Sequence, residues 1–169
     1  MNQSLSRILV VDDEDATRLT LADILRLEGY QVESASSGEA ALQMVTQQAY
    51  DLILLDLKMP GIDGLDVLRQ VTRPDQPLSA SMTTDLPPTV IMLTAHGSLE
   101  SAIEALRHGA QDYLLKPSSP EQILSSVTQG LRTRAAQIQM NTRLIQLETI
   151  EQHAAQGHAT NINKSAHQK

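Results

Sequence analysis

The chain has 169 residues, a formal net charge of −7 and 41% hydrophobic residues, ordinary figures for a folded globular chain with one core and room for extra segments. Residues 1–118 carry 17 acids against 8 bases and residues 119–169 carry 3 against 5, so the body is acidic and argues against a direct nucleic-acid partner, which needs a basic face. Zero cysteines exclude disulfides and thiolate metal sites, and no apolar run approaches the ~18 residues of a membrane span. The start, "MNQSLSRILVVDDE", lacks an apolar signal region, so no membrane partner and a cytoplasmic location are expected.

Short apolar runs alternate with helical patterns. "RILVVDD" (7–13) reads as a buried strand that ends in acids. Residues 14–28 are helical, with Leu21, Ile24, Leu25 and Leu27 as the apolar set and Gly29 as the stop. "YQVESA" (30–35) alternates like a more exposed strand. Residues 36–48 form a second helix, with Ala41, Leu42 and Val45 on one face. "DLILLD" (51–56) is a short buried strand, and 63–71 a helix faced by Leu65, Leu68 and Val71. Residues 72–88, with four prolines, make a loop longer than most connections, best read as a tolerated surface insertion. "TVIMLTA" (89–95) is the next strand, 98–110 the next helix and "DYLLKP" (112–117) the last strand. A final helix starts at Pro120 and is expected to reach about residue 152.

Five strands interleaved with five helices indicate a doubly wound α/β fold, a parallel sheet covered on both faces. Ligand sites in such sheets lie beyond the carboxyl ends of the strands. There the sequence places Asp12 and Asp13 (with Glu14 following), Asp56, Thr94 and Lys116. Any one of these alone is ordinary: a strand-end acid is usually a cap or loop residue, a lone lysine a solvated one. Together they converge on one edge. Three crowded carboxylates repel unless a cation sits among them, and an oxygen-only set suits a hard ion such as Mg²⁺. A metal, a hydroxyl and an ammonium are what a phosphoryl group in transfer requires, which makes Asp56 a nucleophile, a metal ligand or both.

In order and spacing, "ILVVDDE", "LLDLKMPGIDGLDVL", "IMLTAHG" and "DYLLKP" resemble the receiver domain of two-component response regulators, over roughly residues 6–130. The resemblance implies a flavodoxin-like five-stranded sheet of order 2-1-3-4-5 with five helices, the last extended. It implies that Asp56 accepts a phosphoryl group from the phosphohistidine of a sensor histidine kinase or phosphotransfer protein, with Thr94 and Lys116 contacting the phosphoryl oxygens. Mg²⁺ would be held by Asp12, Asp13, Asp56 and the backbone carbonyl of Lys58. Thr94 and Tyr113 would form the switch pair, and Lys116-Pro117 would be a cis bond. Lys58 and His96, two residues after Asp56 and Thr94, are candidate modulators of phosphoryl lifetime; an ordinary loop histidine is the simpler reading of His96.

The expected division is a receiver domain at 1–130, a helical extension at 131–152 and a disordered tail at 153–169. Leu124, Leu131, Ile138 and Ile145 recur every seven residues, but Thr128, Ala135, Thr142 and Thr149 make a poor second seam. Homodimerisation through this helix, or through the helix 4/strand 5/helix 5 face, is one expectation; a helix that packs back or frays is the other. The function expected is a phosphorylation-controlled signalling module without enzymatic or DNA-binding output, acting by partner binding or in a phosphorelay. A receiver-plus-linker piece of a longer transcription regulator is the alternative. A haloacid-dehalogenase-type phosphatase also uses a strand-end Asp, Mg²⁺ and a Lys, but needs a second acid where Lys58 stands.

Overall fold

The strands β1 (Arg7–Val11), β3 (Leu52–Leu55) and β4 (Thr89–Thr94) are almost continuously aliphatic, and nearly every residue in them is buried. That pattern arises when a strand is covered on both faces. The edge strands β2 (Gln31–Ala35) and β5 (Ala110–Leu115) are more polar and only partly buried. In this computed structural model, which describes residues 6–73, 86–95 and 97–165, the five strands form one parallel sheet of order β2-β1-β3-β4-β5.

Alternation along each strand sends side chains to two cores. Leu9, Val11, Ile53, Leu55, Val90 and Met92 pack against Ala41 and Val45 of α2 (Gly38–Gln47), Val67, Leu68 and Val71 of α3 (Gly64–Val71), and Ala105 of α4 (Leu99–Arg107). Ile8, Val10, Leu52, Leu54, Ile91 and Leu93 pack against Leu21 and Leu25 of α1 (Asp15–Leu27), and Ile123 and Val127 of α5 (Pro120–Ser165). Burying each such side chain contributes about 2 kcal/mol, so the two layers, rather than local helix propensity, hold these elements in place. Leu27 departs from the expected apolar set of α1. It is 86% exposed, because at 100° per residue it lies off the stripe of Leu21 and Leu25.

Chain order β1, β2, then back across to β3 reverses the winding direction between β1 and β3. The carboxyl ends of these two strands therefore border the crevice where doubly wound sheets bind ligands. Helix starts on this side are set by side-chain caps: Ser37 accepts from the Ala40 N–H, Asp63 from the Asp66 N–H, and Ser98 forms a reciprocal pair with Ser101.

α5 continues to Ser165, past the limit near residue 152 expected from composition. Chain contacts divide the molecule into a unit at 1–134 and a unit at 135–169. Within the first, Arg134 is buried, with its guanidinium donating to the Leu86 and Pro87 carbonyls. Most of the expected 72–88 loop, residues 74–85, lies outside the described residues. No described helix is long and apolar enough to cross a membrane.

Candidate functional site

Asp12 and Asp56 follow directly on β1 and β3, and the sheet register sets them side by side. Val11 pairs with Leu55. The ladder then runs one step further: the Asp56 N–H donates to the Val11 carbonyl at 2.9 Å and the Asp12 N–H to the Ala35 carbonyl at 3.2 Å. Both carboxylates are buried, at 2% and 7% exposure, and Asp13 beside them is exposed. One carboxylate oxygen from each of the three lies within 4.8 Å of the others.

Lys116 reaches this cluster from the end of β5. Its N–H donates to the Thr94 carbonyl at 2.8 Å, and a cis Lys116-Pro117 bond follows. Its ammonium stands 2.5 Å from Asp12 Oδ2 and 3.3 Å from Asp56 Oδ1. One cation thus bridges two buried anions. Burial raises the Asp56 pKa, the Lys116 charge opposes that rise, and the Asp12 charge adds to it. For Lys116, burial pulls the pKa down, but the hydrogen bond to Asp12 and the two carboxylate charges outweigh it and leave the pKa raised. The ammonium stays charged at neutral pH, while ionised Asp56 remains under strain. Three carboxylates, one of them open to solvent and none grouped with a His among the described residues, fit Mg²⁺, which favours oxygen donors and keeps several of its waters.

The raised Asp56 pKa has a consequence for stability. A carboxyl whose folded pKa lies above its unfolded value favours the fold at low pH, and that advantage is lost as pH rises through the folded pKa. Asp56→Asn, without divalent cations, is therefore expected to stabilise the fold at pH 7 by about 1 kcal/mol, roughly 3 °C in Tm. The gain should shrink towards zero as pH falls below the ordinary carboxylate range. Thermal melts of both proteins across pH check this, and a variant less stable at pH 7 would contradict it.

The other expected residues fall as follows. Thr94 is fully buried at the end of β4. Tyr113 is half-buried on β5, its hydroxyl 2.8 Å from Ser101 Oγ on α4. Lys58 is exposed on the loop after β3, and His96 lies outside the described residues. That loop is shaped by Gly61, whose φ of +80° suits a residue without Cβ, and by Gly64, which passes against the Asp56 carbonyl.

Three contributors were not anticipated from sequence. Glu39 on α2 accepts from the Ile62 N–H at 3.0 Å and so braces the loop that carries Lys58; hydrogen bonds from its own and the Ile62 backbone N–H hold its pKa down. Ser101 supplies the partner of the Tyr113 hydroxyl. Arg18 on α1 donates to the Asp12 carbonyl at 2.8 Å. Only Arg18 left a trace in the sequence, as a base three residues after Asp15 on the helix that follows the acids.

Beside the cluster runs a groove of about 550 Å³ between α1 and the start of α5, lined by Thr17, Thr20, Ile24, Pro117 and Ile123 and reaching Lys116.

Comparison with known proteins gives a consistent result. The response regulator receiver domain family matches residues 8–128. The alginate biosynthesis transcriptional regulatory protein AlgB of Pseudomonas aeruginosa is 37% identical over 147 residues, which are 87% of this chain and 30% of that protein. The transcriptional regulatory protein ResD of Bacillus subtilis is 38% identical over 132 residues, 78% of this chain and 50% of ResD. The chain therefore spans between about a third and a half of these relatives. A CheY-like response regulator receiver domain protein from Methanospirillum hungatei superposes with a TM-score of 0.69 at 31% identity, covering 79% of this chain and 99% of that one.

Proposed function

Because the chain belongs to the response regulator receiver domain family, we propose that Asp56 is its phosphoacceptor, charged by the phosphohistidine of a sensor histidine kinase or phosphotransfer protein. The observation that carries this is the bridged cluster, in which Lys116 holds Asp56 Oδ1 at 3.3 Å and Asp12 Oδ2 at 2.5 Å. A carboxylate oxygen of Asp56 attacks phosphorus, the phosphorus–nitrogen bond to the donor imidazole breaks, and the imidazole keeps that electron pair. The product is an acyl phosphate. Burial raises the energy of the Asp56 carboxylate and so favours attack, while the Lys116 charge favours its ionised form.

Asp12, Asp13, Asp56 and the Lys58 carbonyl would hold Mg²⁺, which when bound neutralises charge on the transferring phosphoryl oxygens. Lys116 and the Thr94 hydroxyl would contact the same oxygens. Drawing Thr94 towards them vacates space near β5, and Tyr113 rotates to fill it, giving up its contact with Ser101. The module signals by this change and by its own phosphoryl lifetime rather than by turning over a substrate. The groove beside Lys116 offers the donor an apolar seat within reach of Asp56. A cytoplasmic location, where such donors act, completes the reading.

The test is incubation with Mg²⁺ and acetyl phosphate, followed by intact mass measurement. One phosphoryl adduct is expected. No adduct on folded protein that binds Mg²⁺ would overturn the proposal. Lys58 stands exposed at the mouth of the site, so Lys58→Ala is expected to change the adduct's decay rate, about threefold or more, with its formation rate less affected. Equal changes in both rates, followed by mass against time, would count against a role in water access.

Self-association is proposed through either of two surfaces. In the 135–169 unit, Met140, Leu144, Ile145, Leu147 and Ile150 are each more than half exposed on α5. On the receiver, Leu99 and Leu106 of α4 and Leu115 of β5 are also more than half exposed. Sizing with and without the phosphodonor, on variants of each patch, separates them. The names of AlgB and ResD support a second reading, in which the chain is the receiver and linker of a longer transcription regulator. Mass analysis of the protein isolated from its own cells distinguishes the two.

A further inference from the structure

We propose that Arg18 is a positioning residue for the cation site, fixing the main chain of Asp12 so that its carboxylate is preset for a divalent ion. The inference rests on the reading of Asp12, Asp13 and Asp56 as that site.

Besides its own N–H bond to the Ala35 carbonyl at 3.2 Å, Asp12 is tied at three points. The Glu14 N–H donates to its Oδ1 at 2.9 Å, the Lys116 ammonium takes its Oδ2 at 2.5 Å, and Arg18 Nη1 donates to its main-chain carbonyl at 2.8 Å. Arg18 is itself held, since Nη2 pairs with Asp15, and its side chain is only 13% exposed. These three tethers differ in kind. Lys116 sits on a carboxylate oxygen and carries the same sign of charge as an incoming cation, so the ion's arrival weakens its hold. Arg18 bonds the carbonyl and leaves both carboxylate oxygens alone. Once Lys116 yields, Arg18, the Glu14 N–H and the Asp12 N–H bond to Ala35 keep Asp12 in place, and of these Arg18 alone is a side chain that holds the Asp12 carbonyl. A guanidinium suits this task because its rigid planar fork holds the Asp12 carbonyl and the Asp15 carboxylate on two separate nitrogens in a fixed geometry.

Two physical effects of Arg18 on Mg²⁺ have opposite signs. Its charge, close to a cluster of acids, repels a divalent cation, so charge alone predicts tighter Mg²⁺ binding when it is removed. Its hydrogen bonds pre-organise a ligand, so positioning predicts weaker binding. The burial of the side chain and the carbonyl bond favour positioning.

Titration calorimetry of the full chain with MgCl₂ decides between them without reference to phosphorylation. Arg18→Met keeps the length and apolar packing of the side chain and removes both bonds and charge. It is expected to weaken Mg²⁺ binding about tenfold, the lower end for loss of a group that orients a metal ligand. Arg18→Lys keeps the charge but not the fork, and is expected to fall between Arg18→Met and wild type. Melting curves without Mg²⁺ check that each variant is folded, and should Arg18→Met fail to fold, the weakening in Arg18→Lys carries the test. Unchanged or tighter binding in folded Arg18→Met, or in Arg18→Lys where only that variant folds, overturns the proposal alone. Wild type that takes up no Mg²⁺ overturns the cation site and this inference with it.

Discussion

Asp56→Ala is expected to abolish the phosphoryl adduct formed with acetyl phosphate and Mg²⁺, lowering its rate of formation by more than about 10³-fold. The size of the effect follows from how differently the three acids are placed. Asp12 already engages the Glu14 N–H with one oxygen and Lys116 with the other, and Asp13 is open to water. Asp56 combines near-complete burial, a burial-raised pKa and contact with the Lys116 ammonium. Neither neighbour can take over by a small movement, because each would have to leave its own bonds or enter the buried position from solvent. The measurement is intact mass against time for both proteins, with circular dichroism to show that the variant is folded. A comparable adduct on Asp56→Ala would move the acceptor to another acid and dissolve the reading built on Asp56.

The second large effect is expected from Gly64→Ala, a substitution that touches no charged group. A Cβ there would stand 2.1 Å from the Asp56 carbonyl oxygen, 2.9 Å from Leu57 Cα and 3.0 Å from the Asp56 carbonyl carbon. All three are backbone atoms of the segment that presents Asp56, and none can rotate away. The chain is pinned from the other side too, since the Gly64 N–H donates to the Leu57 carbonyl at 2.9 Å and Asp63 caps α3. Either α3 lifts from the core of Val67, Leu68 and Val71, or Asp56 shifts. We expect a loss of about 3 kcal/mol, the upper part of the range for overpacking. In a chain of this size that is a fall in Tm of roughly 6–12 °C. The remaining folded protein should also form adduct more slowly, because the strained contact is with Asp56 itself. A melting temperature within about 1 °C of wild type would show that the close approach is not maintained in solution.

The two substitutions separate what could be read along the chain from what could not. The acid at the end of "DLILLD" was legible as a candidate, since an apolar run that ends in a carboxylate presents it to something. Nothing along the chain says that the Asp56 carbonyl is what Gly64 approaches. Tyr113 was singled out by the resemblance to receiver domains, but its bond to Ser101 joins β5 to α4 and has no sequence signature.

By itself the sequence determined the architecture and which residues stand at the carboxyl edge of the sheet. Strands covered on both faces must be aliphatic throughout and helices must show their stripe, so the order of elements, the parallel sheet and the residues at its carboxyl edge could all be read from pattern. Tertiary structure alone decided the distances and the supports. Lys116 meets Asp12 across 104 positions of sequence, and only the packing of β5 beside β4 brings them within 2.5 Å. The register that puts Asp12 beside Asp56, the Glu39 brace and the Arg18 tether are likewise invisible along the chain. Hydrogen bonds between separate elements depend on where those elements come to rest, and that is decided by the two cores packing on either face of the sheet.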